Sequence, residues 1–122
     1  MTKQIYIVED NKKNMELFIA VLETLPDLKI FTAIKGKEGL ELIKSGNPDI
    51  IILDIQLPDI NGTEICKELR EIERFRTTPI IAVSSLAMKG DKEMIMKAGF
   101  DNYISKPIMI KDFREFIQNL LK

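Results

Sequence analysis

Histidine and tryptophan are absent from this chain of 122 residues, and cysteine occurs once, at Cys66. Without histidine there is no ordinary general base and no imidazole metal ligand, so carboxylates and lysines are left to carry any chemistry. A single cysteine excludes a disulfide framework and, together with the missing histidines, a Cys/His metal site. Cys66 reads as a small buried hydrophobe, and a reducing cytoplasmic compartment is the default expectation. Charge of one sign is also lacking. Eighteen basic and 19 acidic residues leave a net charge of -1, so no basic field favours nucleic acid. No apolar run approaches bilayer-spanning length, and the amino terminus does not read as a signal peptide, so no membrane association is expected. No glycine-rich phosphate loop follows the first predicted strand, where the text is "EDNKKN". That argues against dinucleotide or P-loop binding.

What is present is 45% hydrophobic and 30% charged residues, the balance of one globular domain, expected to span residues 1–122. Two kinds of segment alternate along it. Short β-branched runs are "QIYIV" (4–8), "LKIFTAI" (28–34), "DIIILD" (49–54), "PIIAVSS" (79–85) and "NYIS" (102–105). Between and after them lie stretches with apolar residues at helical spacing: residues 14–25, 36–46, 61–72, 90–99 and 111–121. "DIIILD" and "PIIAVSS" are apolar on both faces, as parallel strands covered on both sides must be. Five strands alternating with five helices predict an α/β domain with a mostly parallel sheet and helices on both faces.

Ligands of such sheets bind beyond the carboxyl ends of the strands, at the topological switch point. The strand ends carry Glu9 and Asp10, then Asp54, then Ser84 and Ser85, then Lys106. Any one of these is ordinary loop or cap chemistry. Taken together they are several acids predicted on one rim, with Asp54 ending the most apolar strand. Placing carboxylates side by side is costly unless a cation is shared among them. Mg²⁺ fits that need, since it takes hard oxygen ligands and is commonly held by one or two carboxylates plus a phosphate. Lys106 can balance the anions and grip a phosphoryl oxygen as a point charge, and the Ser84 hydroxyl can donate to another. A carboxylate can act as a nucleophile toward phosphorus, and phosphoryl transfer asks mainly for positioning and charge neutralisation. Asp54 is therefore the candidate phosphate acceptor, while Asp59, between Pro58 and Gly62, reads as turn chemistry.

Four phrases in order carry a family resemblance: "ED" after the first strand, "LDIQLPDINGTEI" around the third, "PIIAVSSLAMKGD" at the fourth and "YISKPI" at the fifth. Over essentially its whole length the chain resembles the response-regulator receiver domains of bacterial two-component systems, and among these the small single-domain regulators of the DivK type. The resemblance implies a single doubly wound (βα)₅ domain with a five-stranded parallel sheet of order 2-1-3-4-5. It implies that Asp54 is the phosphorylated aspartate, that Glu9 and Asp10 hold Mg²⁺, and that Gln56 offers its backbone carbonyl to the metal. Ser84 corresponds to the switch hydroxyl, Tyr103 to the switch aromatic and Lys106 to the family's lysine, with Pro107 following a cis bond. Glu9 stands where Asp is commoner, Ser84 where Thr is commoner, and Ser85 where a small Ala is usual.

By that resemblance the domain is a signalling protein that phosphorylates and dephosphorylates itself, with no separate substrate turnover. Phosphoryl groups come from a histidine kinase or a histidine phosphotransfer protein. Phosphorylation changes the surface of the fourth helix, fifth strand and fifth helix to regulate a protein target. With the sequence ending at Lys122, output through protein contacts is expected, from a monomer or weak dimer. Met15 and Ile19 lie one helical turn apart beside the stripe of Leu17, Phe18, Val21 and Leu22, and are expected to form an exposed shoulder for the donor. Met88, Met94, Met96 and Met109 form a second candidate contact, although methionines at such spacing also serve as core filler. Four other readings compete: a receiver module of a hybrid kinase or phosphorelay shuttle, a small Mg²⁺-dependent aspartyl phosphatase, a flavodoxin-like electron carrier, and a docking module with an inactive site. The phosphatase pattern places its nucleophile after the first strand, and the electron carrier needs the missing phosphate loop.

Overall fold

The computed structural model describes residues 2–85 and 89–122, with side chains described at all of these except 89–91. The strands are β1 (Lys3–Val8), β2 (Leu28–Ala33), β3 (Ile50–Asp54), β4 (Ile80–Ser84) and β5 (Asn102–Ser105). The helices are α1 (Lys12–Leu22), α2 (Gly36–Ser45), α3 (Gly62–Arg70), α4 (Lys89–Lys97) and α5 (Ile110–Leu120), and a 3₁₀ turn spans Glu73–Phe75. The sheet is parallel throughout, in the order β2-β1-β3-β4-β5. The expected (βα)₅ architecture and strand order are thus present.

The apolar strands serve two cores because successive side chains point to opposite faces. Ile5, Ile7, Ile50, Ile52, Ile81 and Val83 face α1 and α5, where they bury Phe18, Val21, Leu22, Phe113 and Ile117. Tyr6, Val8, Ile51, Leu53, Ile80 and Ala82 face the other way, onto Leu40, Ile43, Ile65, Leu69 and Ile95. Every residue of β3 and β4 is buried, which is why those runs carry no alternation. Each such Ile or Leu contributes roughly 1.5–3 kcal/mol by leaving water. The rings of Phe18 and Phe113 meet at 4.9 Å and join α1 to α5 across one face.

Helix starts follow local capping. Asn11 accepts from the Asn14 amide and begins α1 at Lys12, two residues before the expected start, and Asn61 accepts from the Thr63 amide to begin α3. The first helix ends at Leu22, not at residue 25. Leu25 is nonetheless buried, in the turn that follows, because the apolar pattern tracks burial and runs on past the helix. Asp27 completes that turn at φ 59°, a left-handed conformation Asp tolerates well. β2 stops at Ala33 and leaves Ile34 exposed.

Helix α2 is capped at both ends by remote side chains. Its own cap residue, Lys35, makes no side-chain hydrogen bond. Instead Asp59 accepts from the amides of Gly36 at 2.7 Å and Lys37 at 2.9 Å, while Arg74 donates to the carbonyls of Lys44 and Gly46. An anion at the amino end and a cation at the carboxyl end both complement the helix dipole. Asp59, expected to be turn chemistry, therefore also caps a helix whose amino end lies more than 20 residues before it.

Candidate functional site: an acidic crevice at the carboxyl edge of the sheet

Glu9 follows the last residue of β1, Asp54 ends β3, Ser84 ends β4 and Lys106 follows β5, so the parallel register brings all four to one edge. Glu9 and Asp54 are 1% and 2% exposed, Ser84 is fully buried, and Asp10 is open to solvent. Carboxylate oxygens of Glu9, Asp10 and Asp54 all lie within 4.8 Å of one another. The Lys106 ammonium donates to Asp54 Oδ2 at 3.1 Å and stands 3.4 Å from Glu9 Oε1. The other Asp54 oxygen, Oδ1, accepts from the Gln56 amide at 3.0 Å, and Glu9 Oε2 accepts from the Asn11 amide at 3.2 Å. Among the described residues, buried Glu9 Oε1 makes no hydrogen bond and has only the ion pair with Lys106.

Among the described residues, one ammonium against a cluster of three acids leaves a surplus of acid. Burial, reinforced by the adjacent Asp54 carboxylate, pushes the Glu9 carboxyl up to about 8. Burial works against a charged Lys106, but the Asp54 and Glu9 carboxylates outweigh it and hold its pKa above the usual lysine value. Both shifts describe a site that attracts positive charge. A hard divalent cation fits this donor set: oxygens only, clustered, one of them buried without a hydrogen bond.

The loop after β3 is held close. Gly62 donates to the Ile55 carbonyl at 2.9 Å, and a Cβ on Gly62 would lie 2.3 Å from the Asp54 carbonyl oxygen, so only glycine lets α3 start there. The Ser85 hydroxyl donates to the exposed Gln56 side chain. Tyr103 lies on β5 beside Ala82 of β4 and is half-buried, with the Lys92 ammonium 5.6 Å from its ring centre. The Lys106–Pro107 peptide is cis.

The candidate contact surfaces fare differently. Met15 and Ile19 are half-buried rather than open, and Met15 packs against the α1–α5 core. Met94, Met96 and Met109 are exposed, at 47%, 41% and 61%, which removes the core-filler reading for these three; Met88 lies outside the described residues. A groove of about 480 Å³ runs along β5, the following loop and α5, with Tyr103, Lys106, Met109 and Phe116 among its walls. Arg70, which sequence reasoning missed, donates to the carbonyls of Gly99, Phe75, Arg76 and Thr78 and to Asp101.

A family model described as the response regulator receiver domain matches residues 5–118. The chain belongs to the response-regulator receiver family. Its receiver fold is shared with the chemotaxis response regulator CheY4 of Vibrio cholerae, at TM-score 0.90, 21% identity and coverage of 98% of this chain and 99% of that one. The receiver domain of a sensor histidine kinase from Pseudomonas aeruginosa, solved with a magnesium ion coordinated in its active site cleft, matches at TM-score 0.88 and 28% identity, covering 99% and 98% of the two chains. Among curated relatives, the polar-differentiation response regulator DivK of Brucella ovis is 46% identical over 121 residues, 99% of this chain and 98% of its own length. DivK of Brucella anthropi is 44% identical over the same span. This receiver is a phosphoryl-accepting signalling switch, and receivers of this class interact with histidine kinases and with downstream targets. Among the described residues no helix is long and apolar enough to cross a membrane.

Proposed function

We propose that residues 1–122 act as one cytoplasmic receiver domain in which Asp54 takes a phosphoryl group from a phosphohistidine on a histidine kinase or histidine phosphotransfer protein, with Mg²⁺ bound by Glu9, Asp10, Asp54 and the Gln56 backbone carbonyl. The observation that carries this reading is the Asp54 carboxylate, 2% exposed, with an ammonium at 3.1 Å and two further acids within 4.8 Å. In the transfer an Asp54 oxygen forms a bond to phosphorus as the N–P bond of the donor breaks, and the departing imidazole nitrogen takes a proton from solvent. When bound, the metal neutralises charge on the phosphoryl oxygens. The Gln56 amide fixes the plane of the Asp54 carboxylate through Oδ1. Lys106 exchanges its ion pair with Asp54 for one with a phosphoryl oxygen, and the Ser84 hydroxyl donates to another. The new group brings roughly two negative charges and several acceptor oxygens. Drawing Ser84 toward it opens room into which Tyr103 turns, and that change alters the α4–β5–α5 surface presented to a protein target.

Asp54→Asn tests the acceptor. Offered acetyl phosphate and Mg²⁺, the parent acquires an acid-labile label and the variant acquires none; undiminished labelling of the variant would remove Asp54 from this role. Met15 and Ile19 are assigned to the donor-docking surface. Met15→Lys with Ile19→Lys should slow transfer from a phosphorylated donor severalfold while labelling by acetyl phosphate is unchanged, and an unchanged donor rate would exclude that surface.

A further inference from the structure

We propose that Asp59 is a positioning residue for the metal site, clamping the loop that carries Gln56 onto the amino terminus of α2. The inference rests on the reading of the Gln56 backbone carbonyl as a metal ligand. That loop runs from Asp54 to Gly62 and is pinned at its start by the Gln56 amide on Asp54 and at its end by the Gly62 amide on the Ile55 carbonyl. Its middle stands in solvent: Gln56, Pro58 and Asp59 are all exposed. Leu57 and Ile60 pack inward against the core, and Asp59 makes the loop's charged tie to the body of the domain, through both carboxylate oxygens, to Gly36 at 2.7 Å and Lys37 at 2.9 Å.

The contact is shaped from both sides. A Cβ on Gly36 would sit 2.2 Å from Ile60 Cγ2 and 3.1 Å from Asp59 Oδ1, so the loop seats against α2 only because residue 36 is glycine. The Lys37 and Gly36 amides also lower the Asp59 pKa. The other end of the contact is packed and capped independently. Leu40 and Ile43 are buried, Gly39 abuts Val8, and Arg74 holds the far carbonyls of α2. The helix therefore has other anchors, while the outer loop adds to the Asp59 clamp the packing of Leu57 and Ile60 on the core and one hydrogen bond from Ser85 to the Gln56 side chain. A loop held in place before the cation arrives gives up less conformational freedom on binding.

Asp59→Ala and Asp59→Asn separate positioning from capping. Mg²⁺ titration calorimetry should show binding to Asp59→Ala weakened by about threefold to tenfold, at or below the loss usual for residues supporting a metal ligand. The Mg²⁺ concentration giving half-maximal labelling by acetyl phosphate should rise by the same factor, while the rate at saturating Mg²⁺ stays within about twofold of the parent. Asp59→Asn keeps one acceptor oxygen and should fall between the two, and it decides the matter if the Ala variant does not fold. A lower Tm with unchanged Mg²⁺ affinity would overturn the inference and leave Asp59 a helix cap. A parent that shows no Mg²⁺ binding would instead overturn the metal reading itself, and this inference with it.

Discussion

The two ends of the sheet hold two polar clusters with opposite accounts. At the carboxyl edge, Glu9 and Asp54 pair with the Lys106 ammonium, Asp10 lies within 4.8 Å of both acids, and a buried Glu9 oxygen has no hydrogen bond among the described residues. At the opposite end, Arg70 places Nε on Gly99, Nη1 on Phe75, Arg76 and Thr78, and Nη2 on Asp101. Asp101 in turn accepts from the Ile80 amide, the first of β4. In the second cluster charge is matched and carbonyls left by a helix end and a turn are satisfied, which is what structural polar groups require. In the first, like charges are forced together and matched only in part. A folded chain retains such a cluster where something it binds completes it. The contrast assigns a structural part to Arg70 and a chemical one to Asp54, although both are largely buried.

The largest expected effect falls on the structural end. Arg70→Ala leaves several part-buried carbonyls without a donor and should cost about 3 kcal/mol of unfolding free energy by denaturant titration. Labelling by acetyl phosphate should survive at temperatures where the variant is folded. A loss below about 1 kcal/mol would mean that water replaces the guanidinium freely, and the contrast would blur.

At the chemical end the sign should reverse. Above about pH 8, where Glu9 is charged, Asp54→Asn relieves repulsion with Glu9 and Asp10 that outweighs the ion pair it loses with Lys106, and should raise stability in EDTA by on the order of 1 kcal/mol. The pH dependence sharpens this. Glu9 has its folded pKa raised to about 8 from an ordinary 4.5, so between those values the folded state binds more protons than the unfolded chain. Metal-free stability from this group is therefore full below about 4.5 and is lost as pH rises toward 8. Asp54→Asn removes part of the cause and should flatten that slope, leaving the part due to burial. Metal-free stability that rises across this window, or a variant destabilised above about pH 8, would contradict the surplus of acid.

The chemical end was legible in the sequence and the structural end was not, for a physical reason. Parallel strands put their carboxyl ends on one rim, so Glu9, Asp54, Ser84 and Lys106 could be gathered from strand boundaries alone. The Arg70 clasp joins a helix end, a turn and the α4–β5 connection through backbone carbonyls, which carry no residue signature. Asp59 escaped for the same reason: its partners are the amides of Gly36 and Lys37, and only the glycine hinted at a close approach. Met15 reads as surplus on a helical wheel, yet it is half-buried because α1 and α5 lie side by side, a contact set by tertiary packing.

The smallest effect makes the sharpest comparison, because it repeats one substitution at the other end. Asp101→Asn keeps a side-chain oxygen for the Ile80 amide and removes the charge facing Arg70. Asp101 is 55% exposed, so solvent screens the ion pair, and the hydrogen bonds of Arg70 to four carbonyls remain. The loss should be within about 1 kcal/mol, the range of exposed pairs. Asp→Asn thus lowers stability slightly where the aspartate is matched and raises it where aspartates are in surplus. Paired denaturation curves of Asp54→Asn and Asp101→Asn in EDTA above about pH 8 measure both signs. If the two shift in the same direction, surplus charge is not what separates the two ends of this sheet.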